Sequence, residues 1–209
     1  MRNPFPPELR TMAIVPRWCI VNTTLKDNVA THSYFVAVYA YMIAQVIGWK
    51  GPETYLFMNA LMHDNDETIT GDITGPYKSV VMNPEAEPIL RDKTVERMGG
   101  LIDAYTKIES EYAGCASITG ERMVSEEVNS IVAVADTLDA FLFLVLNKRM
   151  GNTLVDPALD GGIKSLEGKW RRLPAPKEVL DRTWNTVVLP SIQEHYEKGA
   201  RGAAPGVNI

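Results

Sequence analysis

Apolar residues recur at intervals of three and four along most of this chain, which is the spacing of amphipathic helices. The first such segment covers residues 28–49 and ends before Gly51-Pro52. Its apolar positions, expected to face the core, are Phe35, Val36, Tyr39, Met42, Ile43, Val46 and Ile47. Residues 53–64 predict a second helix with Leu56, Ala60 and His63 on one side.

Helical patterns continue after a turn-rich stretch that begins at residue 70. They cover residues 85–112 with a weak point at Gly99-Gly100, residues 121–150, and residues 177–196. Several Gly, Pro and Asp residues between 151 and 173 predict a surface connection, and no alternating strand pattern of any length occurs. The expected fold is therefore a single all-α domain over residues 1–198, with residues 199–209 as a flexible tail.

Composition narrows the class of protein. The chain has 209 residues, of which 45% are hydrophobic and 22% charged, as in soluble globular domains. Its net charge of -5 argues against binding to nucleic-acid polymers, but one metal ion and a few basic side chains suffice for a small phosphorylated ligand. The absence of a signal-peptide segment and of a long apolar run predicts a cytoplasmic protein without a membrane span, in a host cell if phage-encoded.

Candidate chemistry is concentrated in four residues on three predicted helices. His32 and His63 lie on inward faces, Asp64 follows His63 directly, and Asp136 interrupts the apolar run IVAVAD. A carboxylate in such a run is costly unless it is paired. Two imidazoles and two carboxylates form a mixed nitrogen and oxygen site, suited to Mn, Co, Fe or Zn, and helical bundles build such sites from facing helices.

Glu67 is the candidate general acid or base. It follows His63 by four residues, so the two share a face if the helix continues that far. A solvated carboxylate in the acidic stretch DNDE is an equally good interpretation of the residue by itself. His195, in the polar segment QEHYEK, is expected at the surface, and Cys19 with Cys115 predicts two reduced thiols.

Several motifs occur together and in order between Met12 and Met150. They are Arg17-Trp18, Asn28-Val29-Ala30-Thr31-His32-Ser33, the run from His63-Asp64 through Glu67 to Thr70-Gly71-Asp72, and Ala135-Asp136. This combination resembles the bacterial HD-domain 5'-deoxynucleotidases of the YfbR-like group, and it is far more specific than an HD dipeptide alone. Short phage HD enzymes that hydrolyse dATP are also similar.

The resemblance implies a fold, a reaction and a set of roles. The fold would be an HD-domain helical bundle, commonly a homodimer, and residues 12–150 would form its motif core. His32, His63, Asp64 and Asp136 would bind one divalent ion (Mn, Co or Zn), and Glu67 would activate water or protonate the departing 5'-oxygen. Arg17 would bind the phosphate, Trp18 would shape the pocket, and Asp72 would contact the deoxyribose.

Two substrates and one non-catalytic function stay open at this point. Attack on a deoxynucleoside monophosphate would release phosphate, whereas the same attack on a triphosphate such as dATP would release triphosphate. A triphosphate needs additional positive charge, for which Lys78 is the first candidate, followed by Arg91 and Lys93. A module that binds a nucleotide without hydrolysing it is the third possibility.

Overall fold

All regular structure in the computed structural model is helical within the residues that it describes, which are 6–73, 86–117 and 122–194. The helices are α1 (Val29–Ile47), α2 (Glu53–Met62), α3 (Glu67–Thr70), α4 (Ala86–Met98), α5 (Gly100–Tyr112), α6 (Val124–Arg149), α7 (Asp156–Trp170) and α8 (Lys177–Thr183). Two 3₁₀ turns, Pro7–Ala13 and Thr153–Val155, and a π-helical turn, Trp184–Val188, accompany them. The all-α fold predicted from the sequence is confirmed.

Local signals set both ends of α1. At its start the Asn28 side chain accepts a hydrogen bond from the Thr31 backbone N–H at 3.0 Å, as an N-cap residue does. At its end Gly48 adopts a left-handed conformation with φ of 72°, which glycine reaches without steric cost. The cap places His32 in the first turn of the helix, on the side that faces α6.

The buried face of α1 differs from the predicted one. Val36, Ile43 and Ile47 are buried as expected, whereas Phe35, Met42 and Val46 are 40%, 54% and 39% exposed. The helix carries two apolar stripes, and the buried one, with which α1 packs against α6 and α2, includes the small residues Ala37, Ala40 and Ala44. Small side chains permit a close approach between helices, so they decide which stripe is buried.

The longest helix, α6, forms the centre of the core. It packs against α1, α2 and α7, and its buried residues include Val128, Ile131 and Leu144. By length and apolar composition it would suffice to cross a membrane, but half of its apolar window is buried inside the protein. Because it also carries buried carboxylate groups toward α1, we interpret it as a core helix.

The predicted surface connection between residues 151 and 173 is wrong. The segment forms a 3₁₀ turn followed by the fifteen-residue helix α7, whose residues Leu159, Leu166 and Trp170 are buried. Pro157 is in the first turn, where a missing N–H costs nothing. At Gly162 an added Cβ would come within 3.0 Å of the Phe141 ring, so this glycine permits close packing on α6.

Helices α4 and α5 form a more weakly packed pair. The predicted break at Gly99-Gly100 is confirmed, and Gly99 has a positive φ of 45°. Thr94 and Met98 of α4 are buried, but α5 has no fully buried residue. The last predicted helix runs through α8 and the π-helical turn, while His195 and the expected tail, residues 199–209, lie outside the described residues.

Candidate metal centre

Four side chains meet at one point between α1, α2 and α6. His32 Nε2 lies 3.2 Å from His63 Nε2 and 3.2 Å from Asp136 Oδ1. Asp64 Oδ2 lies 3.2 Å from His63 Nε2 and 3.5 Å from His32 Nε2. The structure therefore brings together all four residues that the sequence predicted as metal ligands.

The burial of these ligands is graded. The His32 side chain is completely buried, those of His63 and Asp64 are 13% and 14% exposed, and that of Asp136 is 36% exposed. Helix α2 ends at Met62, and the turn that follows directs His63 and Asp64 to the same point. One side of the cluster is thus fixed in the core, while the Asp136 side is open to solvent and to a ligand.

Both imidazoles are held through their second nitrogen. His32 Nδ1 lies 2.6 Å from Asp139 Oδ2, and His63 Nδ1 lies 2.8 Å from the carbonyl oxygen of Ala60. Since both partners are acceptors, each Nδ1 donates a proton and each Nε2 keeps its lone pair. Histidines that bind metals are oriented in the same way in other proteins.

The donor set fits a divalent transition-metal ion. Adjacent ligand atoms about 2.0–2.2 Å from an ion, at tetrahedral or octahedral angles, are about 2.8–3.6 Å apart. The separations of 3.2 to 3.5 Å between the converging nitrogens and oxygens fall in that range. Without an ion, two carboxylates facing two nitrogen lone pairs would repel them, so the arrangement itself favours a cation.

Electrostatics around the centre are strongly perturbed. Burial by itself lowers the pKa of His63, but hydrogen bonding and attraction to Asp64 and attraction to Asp136 outweigh it, so the net pKa is raised. Burial raises the pKa of Asp139 to about 7, against the attraction of Arg17, which lowers it. Such shifts are typical of functional sites.

Asp139 is the one residue of the centre that the sequence analysis missed. It is three positions after Asp136 on α6, so the two carboxylates share a face of the helix. The signal that could have identified it is the same as for Asp136, a carboxylate in the apolar second half of α6. Its side chain is only 10% exposed.

Glu67 does not lie on a continuation of α2. The helical face that it was expected to share with His63 is therefore not formed. Residues 63–66 form turns, and Glu67 begins the short helix α3, with its backbone N–H donating to Asp64 O at 3.1 Å. The residue is nevertheless 4% exposed, so the interpretation as a solvated carboxylate is wrong. Its catalytic role stays a prediction.

The remaining predicted contacts to substrate gather beside the centre. The Trp18 backbone N–H donates to Asp72 Oδ2 at 2.8 Å, and the Trp18 ring stacks on Phe143 with centroids 5.4 Å apart. Arg17 Nη1 lies 4.0 Å from Asp139 Oδ2, and it is buried with no hydrogen bond in the described part of the chain. Trp18 and Asp72, which are 54 positions apart along the chain, thus form one group in space with Arg17.

Of the basic side chains considered for a triphosphate, the structure describes that of Lys93. Lys78 lies outside the described residues, and so does the side chain of Arg91. Lys93 is exposed and pairs with Glu96 at 3.2 Å, as expected of an ordinary surface cation. This contact agrees with the interpretation of Lys93 that the sequence favours, an ordinary surface charge.

A cavity of about 760 Å³ opens at the centre on the side of α4 and α5. It is lined by His63 and Asp136 and, farther away, by Asn59, Tyr105 and Asn129, among others. The Asn59 side chain donates to the Tyr105 hydroxyl at 3.1 Å. The described lining includes the carboxylates of Asp66 and Glu109 but no Lys or Arg.

Solved structures with this arrangement of helices define the class. The chain aligns with a cyanophage S-2L HD phosphohydrolase, DatZ, bound to dA and one catalytic Zn²⁺ ion, at a TM-score of 0.63 and 21% identity over 91% of this chain and 95% of that one. It also aligns with the PH0347 protein of Pyrococcus horikoshii, at a TM-score of 0.62 and 23% identity over 90% of this chain and 96% of that one. The fold is that of HD-domain phosphohydrolases.

Sequence relationships give the family. The sequence model of the YfbR-like 5'-deoxynucleotidase family matches residues 4–168. The chain belongs to this family of metal-dependent deoxynucleotide phosphohydrolases. Its relatives include the 5'-deoxynucleotidases of Citrobacter koseri, 27% identical, and Erwinia tasmaniensis, 28% identical. Each alignment covers 69% of this chain, with 72% and 73% of the relatives respectively.

Proposed function

We propose that the protein hydrolyses 2'-deoxynucleoside 5'-monophosphates to the deoxynucleoside and phosphate, with His32, His63, Asp64 and Asp136 as ligands of one divalent ion. The observation that carries this proposal is the buried guanidinium of Arg17, which lies beside four converging metal-binding atoms and has Nη1 available for a phosphate. Its planar set of donors suits phosphoryl oxygens.

The chain's own residues would divide the work as follows. A bound divalent ion would supply Lewis-acid stabilisation of the phosphoryl oxygens and increase the acidity of water. Arg17 would donate to the phosphoryl oxygens and stabilise the charge that builds up as water attacks phosphorus. Glu67, whose side chain is buried, would take the proton from that water or return one to the departing 5'-oxygen.

Recognition of the nucleoside falls to Trp18 and Asp72. The hydrogen bond from the Trp18 backbone to one oxygen of Asp72 fixes that carboxylate beside the indole. Its other oxygen can accept from the 3'-hydroxyl of a deoxyribose and would crowd a 2'-hydroxyl. The indole ring, fixed on Phe143, gives the pocket a flat wall.

The charge of the cavity supports a monophosphate over a triphosphate. Additional phosphates that extended past the ligands into the cavity would approach Glu109 and Asp66, and no Lys or Arg of the described lining would neutralise them. The triphosphate alternative, with dATP as the first candidate, therefore depends on Lys78 and Arg91, whose side chains lie outside the described residues.

The identity of the metal, a homodimeric state and a cytoplasmic location are further proposals. The mixed nitrogen and oxygen donors suit Mn, Co or Zn, and the DatZ relative in structure contains Zn²⁺. The exposed apolar stripe of α1 at Phe35, Met42 and Val46 supports self-association. Light scattering of the purified protein measures the oligomeric state directly.

A product assay tests the function. The protein is supplied with Mn, Co or Zn and incubated separately with the four deoxynucleoside monophosphates and the four triphosphates, and the phosphate and triphosphate released are separated. Phosphate from several monophosphates is the expected result. Triphosphate released from one dNTP would replace the proposal by the triphosphohydrolase alternative, and binding without any turnover would leave a nucleotide-binding module.

The substitution Asp72→Ala tests sugar recognition. Without the carboxylate, the crowding of a 2'-hydroxyl is relieved, so the ratio of kcat/KM for deoxy over ribo substrates should fall. Both kinds of substrate carry a 3'-hydroxyl, so loss of its acceptor should lower kcat/KM for both by about tenfold or more, since a hydrogen bond to a charged group contributes about 1.5–3 kcal/mol. Asp103→Ala, on the exposed α5, is the control. An unchanged ratio would remove Asp72 from sugar recognition.

A further inference from the structure

Two carboxylates of one helix lie at opposite ends of a single imidazole. Asp136 Oδ1 is 3.2 Å from His32 Nε2, and Asp139 Oδ2 is 2.6 Å from His32 Nδ1. The two ring nitrogens point in different directions, so both cannot bind the same ion. Asp136 is therefore on the side of the metal, and Asp139 is behind the ring.

The same oxygen of Asp139 faces a second functional group. Arg17 Nη1 lies 4.0 Å from Asp139 Oδ2, and the side chains of Arg17 and Asp139 are 12% and 10% exposed. At this distance the contact is an attraction between charges without a hydrogen bond. It restrains the guanidinium and leaves Nη1 able to donate to a ligand.

Other contacts anchor the backbone of Arg17, and its guanidinium also lies 5.8 Å from the centroid of the Trp18 ring. The Arg17 N–H donates to Asp27 O at 3.1 Å, and Asn147 of α6 accepts from the N–H groups of Thr24 and Leu25 at 2.7 and 3.1 Å. The loop that carries Arg17 is thus fixed to the same helix that carries Asp139.

We propose that Asp139 is a positioning residue that joins the two halves of the centre, holding His32 for the metal and Arg17 for the phosphate through one carboxylate oxygen. The inference rests on the proposed function, because it takes His32 as a ligand and Arg17 as the phosphate-binding residue. It adds to that function a residue that touches neither metal nor substrate.

Metal affinity is the first test, with the substitution Asp139→Asn. The amide can donate to His32 Nδ1 and so favour the wrong tautomer, and loss of such a partner typically weakens metal binding by about 10–100-fold. Titration of the metal-free protein with Zn²⁺ measures the affinity. In the wild type, ¹⁵N NMR of the zinc-loaded protein should show His32 protonated at Nδ1; protonation at Nε2 would overturn the proposal.

The matched control is Glu127→Gln. Glu127 is a buried carboxylate of the same helix that accepts from a ring N–H, that of Trp49 Nε1 at 2.8 Å, and it has no contact with the centre. The control should lose stability but keep its affinity for Zn²⁺. Equal affinities in Asp139→Asn and Glu127→Gln would overturn the role of Asp139 toward His32.

The link to Arg17 is tested at saturating metal. Asp139→Asn should raise KM for a deoxynucleoside monophosphate in wild-type background and much less in an Arg17→Met background, because both changes remove the same restraint. Additive effects would overturn this link. If Asp139→Asn does not fold, Asp139→Glu keeps the charge and should retain most Zn²⁺ affinity. Failure of wild type itself to bind metal would instead overturn the proposed function.

Discussion

Two pairs of helices, α1 with α6 and α4 with α5, differ in how firmly they are packed. In α1 and α6, nine of 19 and twelve of 26 residues are buried, and these helices carry His32, Asp136 and Asp139. In α5 none of 13 residues is fully buried, yet Tyr105 and Glu109 of this helix line the cavity next to the metal ligands.

The difference separates two requirements of the site. Metal ligands must keep their positions within a few tenths of an ångström, so they are placed on helices whose positions the core fixes. A helix such as α5 that only lines the cavity can tolerate substitution of its side chains, because few buried contacts depend on them. We therefore expect substitutions of the four candidate ligands on α1, on α6 and in the turn after α2 to abolish chemistry and those on α5 to adjust it.

The largest effect is expected from His63→Ala. The change removes one of four converging donors and leaves Asp64 and Asp136 facing an incomplete set, so metal should be lost from the purified protein together with turnover. Elemental analysis and the phosphate-release assay measure the two. Asn59→Ala, one turn earlier on α2 and in the cavity wall, is the control that should keep its metal. Unchanged metal content in His63→Ala would refute the ligand assignment.

A smaller but still large effect is expected from Glu67→Ala. Loss of a general acid or base lowers kcat by about 10²–10⁴-fold, while metal content should stay that of the wild type. Glu67→Gln keeps the size of the side chain and should lose nearly as much activity, which separates proton transfer from packing. Loss of metal in either variant would show that Glu67 is a ligand.

The smallest effect is expected on the weakly packed side, from Tyr105→Phe. The change removes the hydroxyl that accepts from Asn59 and should cost about 1 kcal/mol of stability, or about 2–4 °C in Tm, without loss of metal. Thermal unfolding and metal analysis measure these quantities. A Tyr105→Phe variant that loses its metal would contradict the division between the two helix pairs.

The sequence was sufficient to group the four candidate ligands, because two of them break a local rule. His32 and Asp136 place polar groups on apolar helix faces, which is costly unless they have a common partner. Asp139 breaks the same rule, but its distance from His32 along the chain, 107 positions, hides the hydrogen bond that accounts for it. Contacts of that range depend on how helices pack, which spacing alone does not determine.

The errors have physical causes of the same kind. Phe35 and Val36 belong to different apolar stripes of α1, and only packing against α6 decides between them. Residues 151–173 were misassigned because Gly and Pro suggested a loop, whereas Pro157 begins α7 and Gly162 fits against Phe141. Gly and Pro indicate a loop only where they are not required at a helix start or at a close helix contact. The roles of Glu67, Arg17, Trp18 and Asp72 stay predictions, and so does metal binding by the four candidate ligands.

Trp18 carries a cost that its surroundings must offset. Its φ of 70° places a bulky residue in the left-handed region, at about 1–3 kcal/mol, and this turn of the backbone aims its N–H at Asp72. Asparagine adopts that conformation more readily. A Trp18→Asn chain would therefore keep the backbone geometry while losing the indole, so the position offers a way to vary the shape of the pocket without refolding the loop.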